Sequence, residues 1–176
     1  MRLPFRDVIP SRTRAYLAPL LLLPLAGFDV WRHAEWLDTW QSGPALLLSG
    51  VCLVGLGETL EDQLGVRRLL LLTGGGAACL ALGPAPGPLA TTTAAWVGAY
   101  LALYPHSKLL VWAGPRVVEV PVPFVAACWA LTVVLAWPPA QWPLCAAVLL
   151  LGLVAGRPLR RPGRGAWAHF DHWPDR

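Results

Sequence analysis

The placement of the basic residues constrains this chain more than any other feature. Six apolar stretches can be marked, at about 15–30, 44–57, 69–83, 89–104, 121–137 and 141–156. Take alternate intervals between them, beginning with the N-terminus. Those intervals hold Arg2, Arg6, Arg12 and Arg14, then Arg67 and Arg68, then Lys108 and Arg116, then Arg157, Arg160, Arg161, Arg164 and Arg176. Of the 14 lysines and arginines in the chain, only Arg32 falls in the other set. Basic residues mark the cytoplasmic loops of a membrane protein, and an odd number of crossings would scramble this division. The pattern predicts six spans with both ends on the cytoplasmic side of an inner (plasma) membrane. Each stretch is near or a little under the roughly 17–25 residues a spanning helix needs, so some are expected to extend into their flanks or sit in a thinned bilayer.

Composition excludes the alternatives. The chain is 56% hydrophobic and 14% charged, with a mean hydropathy of +0.52, whereas soluble domains carry roughly a quarter charged residues. Ten tryptophans and 18 prolines suit membrane interfaces and spanning helices, where neighbours re-satisfy a carbonyl freed by proline. The net charge of +4 lies in short clusters between apolar runs, which fits anionic headgroups better than nucleic acid. Cys52, Cys79, Cys128 and Cys145 lie in apolar runs without CxxC spacing, so they read as buried small hydrophobes rather than a disulfide or metal set. No cofactor or metal is expected. Arg2 to Arg14 precede an apolar run as in a signal peptide, but Ala26-Gly27-Phe28-Asp29 is a weak cleavage site, so the first run is expected to stay as an anchor.

The organisation expected is a basic leader over 1–14, one membrane domain over 15–157 and a basic, aromatic tail over 158–176 that lies along headgroups. On the outer side, residues 29–40 carry Trp31, Trp36 and Trp40, spaced for one face of an interfacial helix.

Three stretches resemble the rhomboid family of intramembrane serine proteases. Leu3-Pro-Phe-Arg-Asp-Val-Ile-Pro-Ser-Arg12 is similar to the cytoplasmic leader of bacterial members. Gly57-Glu-Thr-Leu-Glu-Asp-Gln-Leu-Gly65 resembles a Gly-x-x-x-Glu-Asp-x-x-Gly cytoplasmic turn after the second span. Gly98-Ala-Tyr-Leu-Ala-Leu-Tyr-Pro105, followed by Arg116-Val-Val-Glu-Val-Pro121, resembles the second half of the family's fourth helix and its lead into the fifth. The first outer loop departs from the family in being only a dozen or so residues long. The resemblance implies an all-α, six-transmembrane-helix bundle with a short, central fourth helix.

It also implies a serine in a Gly-x-Ser-Gly turn at the head of the fourth helix, a histidine on the sixth, and oxyanion-stabilising His and Asn on the second. The residues here refuse that chemistry. Counting back from Gly98 places the turn on Pro88-Leu-Ala-Thr91 and the nucleophile on Ala90. The base position falls on Cys145, and the second-span positions fall on Ala45 and Ser49. His33, His106, His169 and His172 all lie in loops or tail, and the fourth and sixth stretches contain no His, Lys, Asp or Glu. Thr91, Thr92 and Thr93 offer hydroxyls, which are poor nucleophiles without a positioned base; the plainer expectation is that they cap the helix or bond back within its first turn. Cys145 offers a thiol, but an apolar setting disfavours the reactive thiolate. Glu58, Glu61 and Asp62 are expected to answer Arg67, Arg68 or Arg116 rather than form a site.

Inactive rhomboid-like proteins bind client proteins for trafficking or degradation, so the resemblance implies a non-catalytic membrane protein whose partners are the bilayer and transmembrane segments of clients. Small residues such as Gly50, Gly55, Gly98, Gly152 and Gly156 would allow helices to pack closely. Two other readings stand beside it: a protease with a displaced nucleophile among Thr91–Thr93 or Cys145, and an accessory structural subunit. Client and oligomeric state are not legible in the sequence.

Overall fold

The computed structural model describes residues 5–7, 17–32, 42–79, 87–113 and 116–159. The chain is mostly helical, with α1 (Leu17–Arg32), α2 (Ser42–Leu64), α3 (Val66–Ala78), α4 (Pro88–Leu103), α5 (Val122–Ala136) and α6 (Trp142–Gly156). Three short strands join them: β1 (Phe5–Asp7), β2 (Lys108–Ala113) and β3 (Arg116–Pro121). The expectation of a mostly helical chain holds, and the small sheet beside the helices was not part of it. β2 and β3 pair antiparallel from Lys108↔Pro121 to Ala113↔Arg116, and β1 adds to the far edge of β2, with Phe5 opposite Val111. The physical reason lies in the residues: Val111, Val117, Val118 and Val120 are β-branched, and Trp112 shares their preference for the pleated surface.

Two further expectations change. The acidic segment Glu58–Leu64 is not a turn but the last two turns of α2; the chain reverses only at Gly65, whose φ of 78° is cheap for glycine alone. Part of the expected leader is a strand. Asp29 and Trp31, placed by sequence in the outer loop, belong to the last turns of α1, while Trp36, Trp40, His169 and His172 lie outside the described residues.

The helix α4 forms the core. It is apolar all round, and such a helix is buried: every residue from Pro88 to Tyr100 is buried, and all five other helices touch it. It runs alongside α6 in the same direction and very close. A Cβ on Gly98 would fall on the Leu149 carbonyl oxygen, one on Gly152 on the Ala95 carbonyl oxygen, and one on Gly156 would sit 2.8 Å from the Ala99 oxygen. Glycine at these positions lets the backbones meet, which is how helices associate without a hydrophobic drive between them.

One end of the bundle collects the basic connections. Pairing of β1 with β2 brings the residue run before α1 beside the run after α4. At the same end Arg68 Nη1 donates to the Leu159 carbonyl at 2.7 Å and Arg157 Nε to the Ala102 carbonyl at 3.4 Å. Both guanidinium groups meet the carbonyl-rich end of a helix, where positive charge is favoured.

Among the described residues, Gly43–Leu64 and Pro139–Gly156 are long and apolar enough to cross a membrane; Val122–Ala136 is apolar but shorter. Only 22% of the residues in Pro139–Gly156 are buried, unlike the core helix of a soluble protein. Large apolar side chains lie bare on the outer helices, with Leu23 76%, Leu71 71%, Leu135 69% and Val154 75% exposed. Bare apolar side chains on this many helices fit contact with a membrane or another protein.

Candidate functional site

The head of α4, where the family would carry its nucleophile, is built from Gly87, Pro88, Leu89 and Ala90. Proline at the first helical position has no N–H to leave unpaired and a φ preset for the helix. The next amide, Leu89 N–H, donates to Asp29 Oδ2 of α1 at 2.9 Å, and Asp29 is fully buried. A carboxylate at a helix N-terminus meets the positive end of the dipole. Gly87 holds φ at +130°, and a Cβ there would run into the Asp29 carboxylate. Asp29 and Gly87 are structural positions at the head of α4 that the sequence reading missed. The available signal was an acidic residue ending an apolar run, which in a membrane segment suggests a built role.

The threonines behave as structural hydroxyls. Thr91 Oγ1 donates to the Gly87 carbonyl at 2.9 Å, and Thr93 Oγ1 to the Leu89 carbonyl at 2.8 Å and the Ser49 carbonyl at 3.3 Å. These are bonds back to the preceding turn, with one bridge to α2. Thr92 is equally buried, and its hydroxyl has no hydrogen-bond partner among the described residues.

Ala45 and Ser49, four residues apart on α2, share a face and are both fully buried. The Ser49 hydroxyl accepts from Trp129 Nε1 of α5 at 3.0 Å. Cys145 is buried on α6. Gly152 lies between the Ala95 carbonyl and the Ala99 amide; stepping back about two turns along both parallel helices leads from Gly152 to Cys145 and from the Ala95–Ala99 turn to Ala90. The two positions therefore lie at the same height on neighbouring helices, and neither bears a group that takes up a proton as imidazole does. Among the described residues the one histidine, His106, sits in the exposed turn after α4.

A second region lies on the flank of the bundle. The helices α2 and α5 part to leave a groove of about 440 Å³, walled by Leu47, Leu48, Val51, Cys52 and Gly55 on one side and Phe124, Val125 and Cys128 on the other. Leu109 and Val120 of the sheet close its end. Among the described residues no charged side chain lines it. Leu47 and Phe124, 74% and 61% exposed, form its rim, so the groove reaches the outer surface of the bundle.

Comparison with known proteins returns no matching family model, no matching curated protein and no matching solved structure.

Proposed function

We propose that this chain is a multi-pass membrane protein of rhomboid-like architecture, without a catalytic dyad, that holds transmembrane segments of other proteins in the α2–α5 groove. The observation that carries the reading is the chemistry of the groove: apolar walls, no charge, and a rim set among side chains left bare on the outer helices. In a bilayer, only an acyl chain or another apolar helix reaches such a surface. A helix is favoured because Gly55 and Cys52 leave room for close backbone approach, which drives association in lipid through packing. In this reading all six helices cross. The shorter ones, α3 with 13 residues and α5 with 15, are accommodated by local thinning of the bilayer. The sheet-bearing end faces the cytoplasm, because the basic connections collect there.

Photocrosslinking in native membranes tests it. A crosslinking residue in place of Leu47 or Phe124 should capture membrane-protein partners, and Gly55→Leu, which fills the groove, should abolish capture several-fold or more. Adducts with lipid alone would end the client-binding reading.

A further inference from the structure

The groove brings two thiols together from opposite walls. Cys52 on α2 and Cys128 on α5 both line it, and both are free. About one turn away, the Trp129 indole is bonded to the Ser49 hydroxyl at 3.0 Å. Ser49 and Cys52 are three residues apart on α2 and share its α5-facing side, while Cys128 directly precedes Trp129. The hydrogen bond thus ties α5 to α2 at one point about a turn from the thiols. The remaining cysteines are elsewhere: Cys79 follows α3, and Cys145 is buried on α6. The helix α5 is lightly held, with only Val122, Trp129 and Val133 buried, so it can draw towards α2 without disrupting the α4–α6 core.

We propose that Cys52 and Cys128 form a redox-active pair that closes into a disulfide across the groove, drawing α5 onto α2 and excluding an incoming helix. This regulation rests on the client-binding reading above; the covalent step does not. In that step a disulfide oxidant such as oxidised glutathione first forms a mixed disulfide with one cysteine and releases one thiol. The second cysteine sulfur then attacks and releases the other. Two S–H bonds break and one S–S bond forms within the chain; both cysteine sulfurs are oxidised, and the two protons and two electrons leave with the reduced oxidant. The thiol pair and the disulfide are both uncharged, so apolar walls accept either. Only the attacking thiolate is disfavoured there, which makes exchange slow while the groove stays dry. A disulfide requires Cα atoms roughly 4.4–6.8 Å apart, which is why the freedom of α5 matters.

The test uses the full chain in detergent micelles, incubated with oxidised glutathione, alkylated and mapped by mass spectrometry. The expected product is a peptide linking Cys52 to Cys128. It should persist in a Cys79→Ser/Cys145→Ser variant and vanish in Cys128→Ser, a change at a partly exposed position that leaves the core intact. A linkage between any other pair, or four thiols that remain free in oxidised protein whose denatured form alkylates fully, would overturn the proposal. A second arm measures capture at Leu47 before and after oxidation. A several-fold fall, restored by reductant, supports closure; unchanged capture beside a formed link overturns the regulatory part. Capture absent in both states beside a formed link overturns the client reading and leaves the thiol pair standing.

Discussion

The head of α4 and the α2–α5 groove sit on either side of Ser49, and they are opposites. At the head, each polar group described above except the Thr92 hydroxyl has a partner within the protein, and the backbone is held by a glycine and a proline. In the groove there is nothing to bond to, and the walls are half bare. The first region is closed by structural contacts: a carboxylate caps the amide and threonines bond to carbonyls. The second is an open apolar surface. The contrast teaches that, in this fold, close packing is concentrated around α4 and α6, while α5 buries only Val122, Trp129 and Val133 and leaves an apolar groove beside it.

The largest expected effect tests where stability is concentrated. Gly152→Ala places a Cβ on the Ala95 carbonyl, a backbone atom that cannot swing aside. The cost should be about 3 kcal/mol, read as a large fall in thermal stability in detergent. Gly74→Ala is the control, because a Cβ there meets nothing within 4 Å; it should be neutral or stabilising by up to about 1 kcal/mol. Equal losses in both variants would show that the α4–α6 crossing is not special.

Next in size is the cap. Asp29→Ala leaves the Leu89 amide unpaired in a buried place, which should cost about 1–2 kcal/mol. Asp29→Asn keeps an acceptor and should cost less. If the two variants unfold together, the carboxylate does not act through that bond.

On the groove side the expected stability effect is small. Phe124 is 61% exposed, so Phe124→Ala should change stability in detergent by no more than about 0.5 kcal/mol while lowering client capture several-fold. A variant that loses stability and capture together would place the rim in the core and dissolve the contrast between the two regions.

Much of the helical plan was legible because it rests on local signals. The stretch 89–104 became α4 over Pro88–Leu103, and its punctuation by Pro88 and Pro105 is written in the chain. The close contacts of Gly98 and Gly152 follow from small residues in apolar runs. The sheet was hidden because β1 has only three residues and becomes a strand by pairing with a partner about a hundred positions away. Gly114-Pro115 between two valine-rich runs was a hairpin signal, outweighed by the expectation of a short basic loop. Glu58, Glu61 and Asp62 were read at a helix C-terminus and do ride on the end of α2; only its length was underestimated, because the resemblance put a turn from Gly57 where the helix continues to Leu64. Asp29 and the groove were illegible for a different reason. Each depends on which helices meet, and periodicity carries no information about that.

The smallest effect expected is none at all, on proteolysis. Purified protein should not cleave a transmembrane substrate or react with a fluorophosphonate probe, and Ala substitution at Thr91, Thr92, Thr93 or Cys145 should change nothing. A positioned base contributes roughly 10²–10⁴-fold and an oxyanion donor roughly 10²–10³-fold. At the head of α4 the Thr91 and Thr93 hydroxyls already donate to carbonyls, the Leu89 amide is taken by Asp29, and the Ser49 hydroxyl accepts from Trp129. Restoring Ala90→Ser with Cys145→His should also fail, since Pro88 and Thr91 stand where the family has glycines and the Leu89 amide is already taken by Asp29. Cleavage by the wild type that one of the four Ala substitutions abolishes would instead mark a displaced nucleophile. Asp29 would then be the first candidate for its base, and loss of cleavage in Asp29→Asn would place an active site at the head of α4.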